Sequence, residues 1–190
     1  MSENYTFNPI DGSEYPNLFL SAIINILIES IYNDEYINCI QNGSGEFIHK
    51  NGMKTIGEFT NGKLNGFATK YSQNGKVIYE GNWKDGMPNG SGKLYRPNTS
   101  LVYDGNWKDG MPNGSGKKYY QNGKKIHYEG NWKDGKADGF AKIYRKNKKI
   151  RYEGYFKDGK RNGSGKQYRP NGLLEYEGNW KDRFPSNETN

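Results

Sequence analysis

A single cysteine, Cys39, is all the thiol this chain has, which excludes an internal disulfide framework and a Cys-based zinc site. The only histidines, His49 and His127, lie far apart, so no Ser/His/Asp or Cys/His set and no metal-ligand spacing is suggested. Apolar residues make up 32% of the 190, too few for a thick two-layer core. Long hydrophobic runs are missing as well. Leu18 to Ile31 is apolar but short, and is broken by Ser21, Asn25 and Glu29, whereas a membrane-spanning helix needs about 20 apolar residues. The acidic N-terminus lacks the basic segment of a secretory signal. A soluble, cytoplasmic protein is expected, either free or peripheral to a membrane.

What the chain has instead is glycine (26) and tyrosine (16), with aromatic residues at 15%. Disordered chains are usually poor in aromatics. This composition suits a thin structure in which flat rings pack on bare glycine backbone. The formal charge of +7 favours anionic partners, although the lysines are interleaved with Asp and Glu.

A repeat organises these residues. Tyr79-Glu-Gly-Asn-Trp83-Lys-Asp-Gly86 returns as Tyr103-Asp-Gly-Asn-Trp107-Lys-Asp-Gly110 and Tyr128-Glu-Gly-Asn-Trp132-Lys-Asp-Gly135. It returns again as Tyr152-Glu-Gly-Tyr-Phe156-Lys-Asp-Gly159, and a last copy begins at Tyr176-Glu-Gly-Asn-Trp180. A variant copy starts at Thr55 and a degenerate one near Tyr32. A second element follows each first one, as in Gly66-Phe-Ala-Thr-Lys-Tyr71 and Gly90-Ser-Gly-Lys-Leu-Tyr95.

The spacing predicts hairpins. In a strand alternate side chains share a face, so Tyr79, Gly81 and Trp83 fall on one side and Glu80 and Asn82 on the other. Recurrent mid-element glycine argues against helix. Asp85-Gly86, Asp109-Gly110, Asp134-Gly135 and Asp158-Gly159 are hairpin-turn pairs tolerant of positive φ. In the second strand Gly90, Gly92 and Leu94 are expected on one face. Glycine normally weakens a strand, so its recurrence implies a strip on which neighbouring rings lie flat. The expected core is Tyr79, Gly81, Trp83, Tyr103, Gly105, Trp107, Tyr128, Gly130, Trp132, Tyr152, Gly154, Phe156, Tyr176, Gly178 and Trp180.

The combined pattern, Tyr-x-Gly-x-Trp-x-x-Gly-x-x-x-Gly-x-Gly, resembles the MORN (membrane occupation and recognition nexus) repeat over roughly residues 32–182. That resemblance implies a scaffold or targeting segment that positions partners, self-associates or sits near membranes, often beside a separate catalytic domain. The repeats leave no room for such a domain after residue 32, so no enzyme is expected.

The fold class expected is therefore all-β: an elongated single-sheet antiparallel β-hairpin solenoid with a short N-terminal capping helix. Residues 1–15 are expected to be flexible and 16–31 to form the cap, since Leu18, Phe19, Ala22, Ile23, Ile26 and Leu27 follow a helical spacing. The alternative for this helix is a surface for self-association, a partner or a membrane. The solenoid runs over 32–182, with units starting near 32, 55, 79, 103, 128 and 152 and a half-unit at 176. The strand from Tyr176 is expected to lack a following partner, Pro185 to end it, and 183–190 to be a mobile tail. An open edge over 173–183 would invite a second copy.

Chemistry is scarce. The Gly-Ser-Gly-Lys segments at 90–93, 114–117 and 163–166 lack the full phosphate-loop form and its helix, so no catalytic, cofactor or metal site is expected. Glu80, Asp104, Glu129, Glu153 and Glu177 are expected as outer-face partners of Lys93, Lys117, Lys142 and Lys166. Two candidate surfaces remain. Asn82, Tyr95, Asn106, Tyr119, Asn131, Tyr144, Tyr155 and Tyr168 form a candidate protein-binding face. Lys117, Lys118, Lys124, Lys125, Arg145, Lys146, Lys148, Lys149 and Arg151 form a candidate anion-binding edge. The function expected first is a protein-interaction scaffold; second comes a peripheral module for anionic phospholipid. Nucleic acid is not expected.

Overall fold

Two kinds of turn set the architecture. Asp85, Asp109, Asp134 and Asp158 have φ of 47–50°, and the glycine after each is also left-handed. Two consecutive positive φ values make the two-residue hairpin turn whose twist matches the flanking strands. Asn61-Gly62 does the same one unit earlier. The other turn is longer. In it Arg96 N–H donates to Ser100 O and Thr99 N–H to Arg96 O, and the same pair of bonds recurs at 72–76, 145–149 and 169–173.

Alternating these turns produces a meander. The computed structural model describes residues 42–186. Its strands are β1 (Asn42–Ile48), β2 (Lys54–Thr60), β3 (Lys63–Tyr71), β4 (Val77–Lys84), β5 (Met87–Tyr95), β6 (Leu101–Lys108) and β7 (Met111–Tyr119). They continue with β8 (Ile126–Lys133), β9 (Lys136–Tyr144), β10 (Ile150–Lys157), β11 (Lys160–Tyr168), β12 (Leu174–Lys181) and β13 (Phe184–Ser186). All thirteen lie in one antiparallel sheet in chain order. The expected flexible segment 1–15, the capping helix 16–31 and the start of the unit near residue 32 lie outside the described residues.

One face of the sheet, the inner one, holds a single file of rings. Tyr79 packs edge-to-face on Trp83 of its own strand at 5.2 Å and on Trp107 of the next unit at 5.3 Å. Tyr103 does likewise with Trp107 and Trp132, Tyr128 with Trp132 and Phe156, and Tyr152 with Phe156 and Trp180. Such pairs each add roughly 0.5–1.5 kcal/mol beyond area burial. Tyr79, Tyr103, Tyr128 and Tyr152 are fully buried although the sheet is one layer thick. The file is also hydrogen-bonded. Trp107 Nε1 donates to Gly92 O (3.1 Å), Trp132 Nε1 to Gly116 O (3.2 Å) and Trp180 Nε1 to Gly165 O (3.2 Å), each reaching the preceding unit.

Glycine makes the file possible. Each Tyr ring folds along its strand and over the facing glycine, so a Cβ on Gly92 would run into the Tyr79 hydroxyl and ring. A Cβ on Gly105 would sit 2.6 Å from Ser115 O and 2.7 Å from the Tyr103 hydroxyl. The rings therefore lie flat on glycine, as expected, while meeting one another edge-on.

Two expectations need correction. Gly90 does not share the inner face with Gly92 and Leu94. Gly81 pairs with Gly92 but Trp83 pairs with Pro88, so β5 carries extra residues there. Gly90 takes φ +103 in that bulge and its missing side chain would face Asn82 on the outer side. The bulge has a use: Gly110 N–H reaches back to Pro88 O (3.0 Å), and Gly135 N–H to Pro112 O (3.0 Å), tying each hairpin tip to the unit before it. The second correction is at the C-terminal end. The last Tyr strand has a partner, because Phe184–Ser186 returns as β13 with Trp180 opposite Pro185, the place Trp83 and Pro88 occupy in β4 and β5. Pro185 sits in this edge strand rather than ending β12, and residues 184–186 are not part of a mobile tail. β13 covers Asn179–Lys181 of β12, so a second chain would not pair with those residues.

Gly105→Val is expected to destabilise by roughly 1–3 kcal/mol through overpacking of this strip. Thermal denaturation followed by tryptophan fluorescence measures it, and an unchanged midpoint would contradict the ring-on-glycine account.

Candidate binding surfaces

The outer face is ordered into rows, because antiparallel register brings equivalent residues of every unit into line. The middle row alternates in sign. Glu80 faces Lys93, Lys93 faces Asp104, and Asp104 faces Lys117. The row continues through Glu129, Lys142, Glu153 and Lys166 to Glu177. Ion pairs form at Lys93–Glu80 (3.4 Å), Lys117–Glu129 (3.2 Å), Lys142–Glu153 (3.5 Å) and Lys166–Glu177 (3.0 Å). Each contributes about 0–1 kcal/mol, so the row sets register and solubility more than stability. The Gly-Ser-Gly-Lys segments lie in β5, β7 and β11 and supply Lys93, Lys117 and Lys166; they are strands, not phosphate loops.

On one side of this row runs a line of tyrosines. Tyr95, Tyr144 and Tyr168 donate their hydroxyls to Glu80 (2.7 Å), Glu129 (3.0 Å) and Glu153 (2.6 Å). Tyr119 keeps the same place without such a bond, its hydroxyl proton held more firmly than usual, by burial first and nearby Asp104 second. Burial pushes the Glu129 carboxyl up, but hydrogen bonds from Lys117 and Tyr144 outweigh it and leave it below its ordinary range. These tyrosines are half-buried. Each pairs with an aliphatic residue that the sequence patterns had not singled out: Tyr95 with Leu101, Tyr119 with Ile126, Tyr144 with Ile150 and Tyr168 with Leu174.

On the other side runs a polar row. Asn82 Nδ2 donates to Ser91 Oγ (3.0 Å) and Asn106 Nδ2 to Ser115 Oγ (3.2 Å). Asn131 belongs to this row, but Phe140 and Tyr155 break it, edge-to-face at 5.6 Å and exposed at 43% and 50%. The candidate face thus comprises two rows separated by the charge ladder: Asn82, Asn106, Asn131 and Tyr155 in one, Tyr95, Tyr119, Tyr144 and Tyr168 in the other. Phe140 belongs with Tyr155, and its signal was visible as Phe where most units have Ser.

The two long edges differ in charge. One edge carries the Asp-Gly turns, where Asp and Lys alternate and pair, as in Lys157–Asp138 (3.2 Å) and Lys160–Asp182 (2.9 Å). The other edge carries the longer turns at 72–76, 96–100, 120–125, 145–149 and 169–173. These hold Lys76, Arg96, Lys124, Lys125, Arg145, Lys146, Lys148, Lys149 and Arg169 and no carboxylate. Side chains stitch turn to turn along it: Tyr120 hydroxyl to Tyr144 O (2.6 Å), Arg145 to Tyr168 O (2.7 Å) and Lys149 Nζ to Asn171 O (2.7 Å).

The candidate anion-binding residues are not all brought together. Lys124, Lys125, Lys146, Lys148 and Lys149 share this edge with Arg145. Lys117 is in the outer ladder, and Lys118, next to it in sequence, points to the opposite, inner face and is 6% exposed. It occupies the position of buried Leu94 and Ile143, between Tyr103 and Tyr128. Arg151 is the bulged residue at the start of β10, where other units have buried Val102 and His127. The histidines are absorbed by local packing: His49 Nε2 is 2.8 Å from Thr55 Oγ1, and His127 packs on Tyr120 at 4.7 Å. Among the described residues no His/Cys/Asp/Glu group has metal-binding geometry, and no helix is long and apolar enough to cross a membrane.

Burial, with the nearby Arg96 guanidinium second, pulls the Lys118 ammonium down to about 7. Above that pH the folded chain releases this proton while the unfolded chain holds it until about 10.4. The unfolded state then binds more protons, so stability rises with pH from about 7 towards 10 and is lowest below 7. Lys118→Leu is expected to raise the melting temperature at pH 7 and to flatten its rise between pH 7 and 9. Thermal melts across that range test it; parallel curves for the two proteins would show that Lys118 is not the titrating group.

The MORN repeat family matches the chain over residues 56–77, 79–100, 103–125, 128–148 and 152–173. No curated protein matches it. MORN repeats are found in protein- and membrane-lipid-interaction settings and are generally non-catalytic. The matched segments coincide with successive hairpins from β2 to β11 and fill more than half of the sequence: this chain belongs to the MORN repeat family.

Proposed function

We propose that this protein is a non-enzymatic interaction scaffold that binds another protein through its outer face. The observation that carries the reading is the Phe140–Tyr155 pair. At the equivalent cross-strand places Ser91 stands opposite Asn106, Ser115 opposite Asn131 and Ser164 opposite Asn179, while Phe67 faces Asn82, so among the described residues only here do two rings face each other. Here two rings stand out of the sheet instead. They lie on the face opposite the ring file, so folding does not require them there. Exposed aromatics with a polar surround are what partner-binding surfaces concentrate.

The rows around the pair fit this use. The Asn/Ser ladder and the Glu/Lys ladder form an ordered surface on which many polar groups are already paired. A partner that seats on the rings therefore meets a preorganised rim and orders few side chains on binding.

Phe140→Ser with Tyr155→Asn restores the Ser/Asn pair found at 91/106, 115/131 and 164/179 and is expected to leave the melting temperature within a few degrees of the parent. It is expected to weaken capture of the native partner by roughly tenfold or more. Quantitative affinity purification from the native host, parent and variant side by side, measures this. An unchanged set of captured proteins would refute binding through this pair.

A further inference from the structure

The basic edge is the largest feature that the outer-face reading leaves unused. Five successive long turns carry nine basic side chains and no acid, whereas the whole sequence nets +7. One edge of the sheet therefore concentrates the chain's excess charge. Lys76, Lys124, Lys146, Lys148 and Arg169 are exposed on it, and no carboxylate among the described residues pairs with them. Immediately inside the turns lies the tyrosine/aliphatic row. Cations and apolar surface thus run side by side along the sheet.

We propose that this edge docks an extended acidic polypeptide segment lying across the strand ends, along the axis of the sheet. The spacing argues for a linear polyanion. Equivalent turns are two strands apart, which is about 9.5 Å at the usual strand separation. An extended polyproline-type chain advances about 3.1 Å per residue with three residues per turn, or roughly 9.3 Å per turn. A carboxylate at every third residue therefore meets one basic turn after another without falling out of step. The residues between the carboxylates rest on the tyrosine/aliphatic row. The line of charge is one turn wide, which suits a single chain better than a flat lipid surface. Stitching of the turns through Tyr120, Arg145 and Lys149 holds the spacing constant before any ligand arrives.

The test uses the full chain and two synthetic 15-residue peptides of identical composition. One has Glu at every third position; the other has the same Glu residues in one block. By fluorescence anisotropy the periodic peptide is expected to bind several-fold more tightly than the blocked one, and more weakly as salt is raised. The triple variant Lys76→Glu, Lys124→Glu, Lys146→Glu changes three exposed positions in three turns and is expected to lose about tenfold in affinity with an unchanged melting temperature. Equal binding of the two peptides, or an unaffected triple variant, overturns the proposal. Vesicles of phosphatidylcholine and phosphatidylserine provide a further arm. If the edge binds them in a way the triple variant abolishes while the periodic peptide neither binds nor competes, the edge serves membranes instead and the proposal fails. None of these outcomes depends on Phe140 or Tyr155, so the outer-face scaffold stands or falls separately.

Discussion

A tyrosine ring folded over glycine and wedged between two tryptophans is the contact on which the rest of this protein depends. Tyr103 is held by Trp107 of its own strand and Trp132 of the next unit, and it covers the strip at Gly105 and Gly116. No single hairpin supplies both rings. Each unit is therefore stable only against its neighbour, and the described units gain a core within a single sheet. This is how so few aliphatic residues suffice: the aromatic file buries large flat surfaces against backbone, which costs no side-chain volume on the facing strand.

The same contact dictates the outer surface. Because the inner face is filled by Tyr, Gly and Trp in strict alternation, the residues between them are forced outward in register. Glu, Asn, Lys and Ser thereby become ladders rather than scattered polar groups. Departures from the repeat on the outer face leave the core intact. Phe140 and Tyr155 replace Ser and Asn while Tyr152 and Phe156 keep the file continuous beneath them. A solenoid of this kind separates the positions that hold it together from those that recognise something else.

Much of the fold was legible because its determinants are local. The Asp-Gly pairs at 85–86, 109–110, 134–135 and 158–159 specify two-residue hairpins by backbone conformation alone, and the Tyr-x-Gly-x-Trp alternation specifies the face. The bulge at Gly90 was not legible, since the Gly-Ser-Gly spacing reads as unbroken alternation; only the pairing of Trp83 with Pro88 reveals the inserted residues. The return of Phe184–Ser186 was hidden for a similar reason, a proline there having the look of a stop while its role is to stand opposite Trp180. Lys117 and Lys118 read as one basic patch and lie on opposite faces.

By itself the sequence determined the unit, its turns and the residues of the ring file, because these follow from backbone preferences and a period of two that each segment carries within itself. Tertiary structure alone decided which charges stand together. The acid-free edge is made of turns 24 or so residues apart in the chain, and Lys118 is buried because of what lies across from it in β6 and β8. Adjacency across strands arises from register, and register is set by bulges and ring contacts between units that no single unit contains.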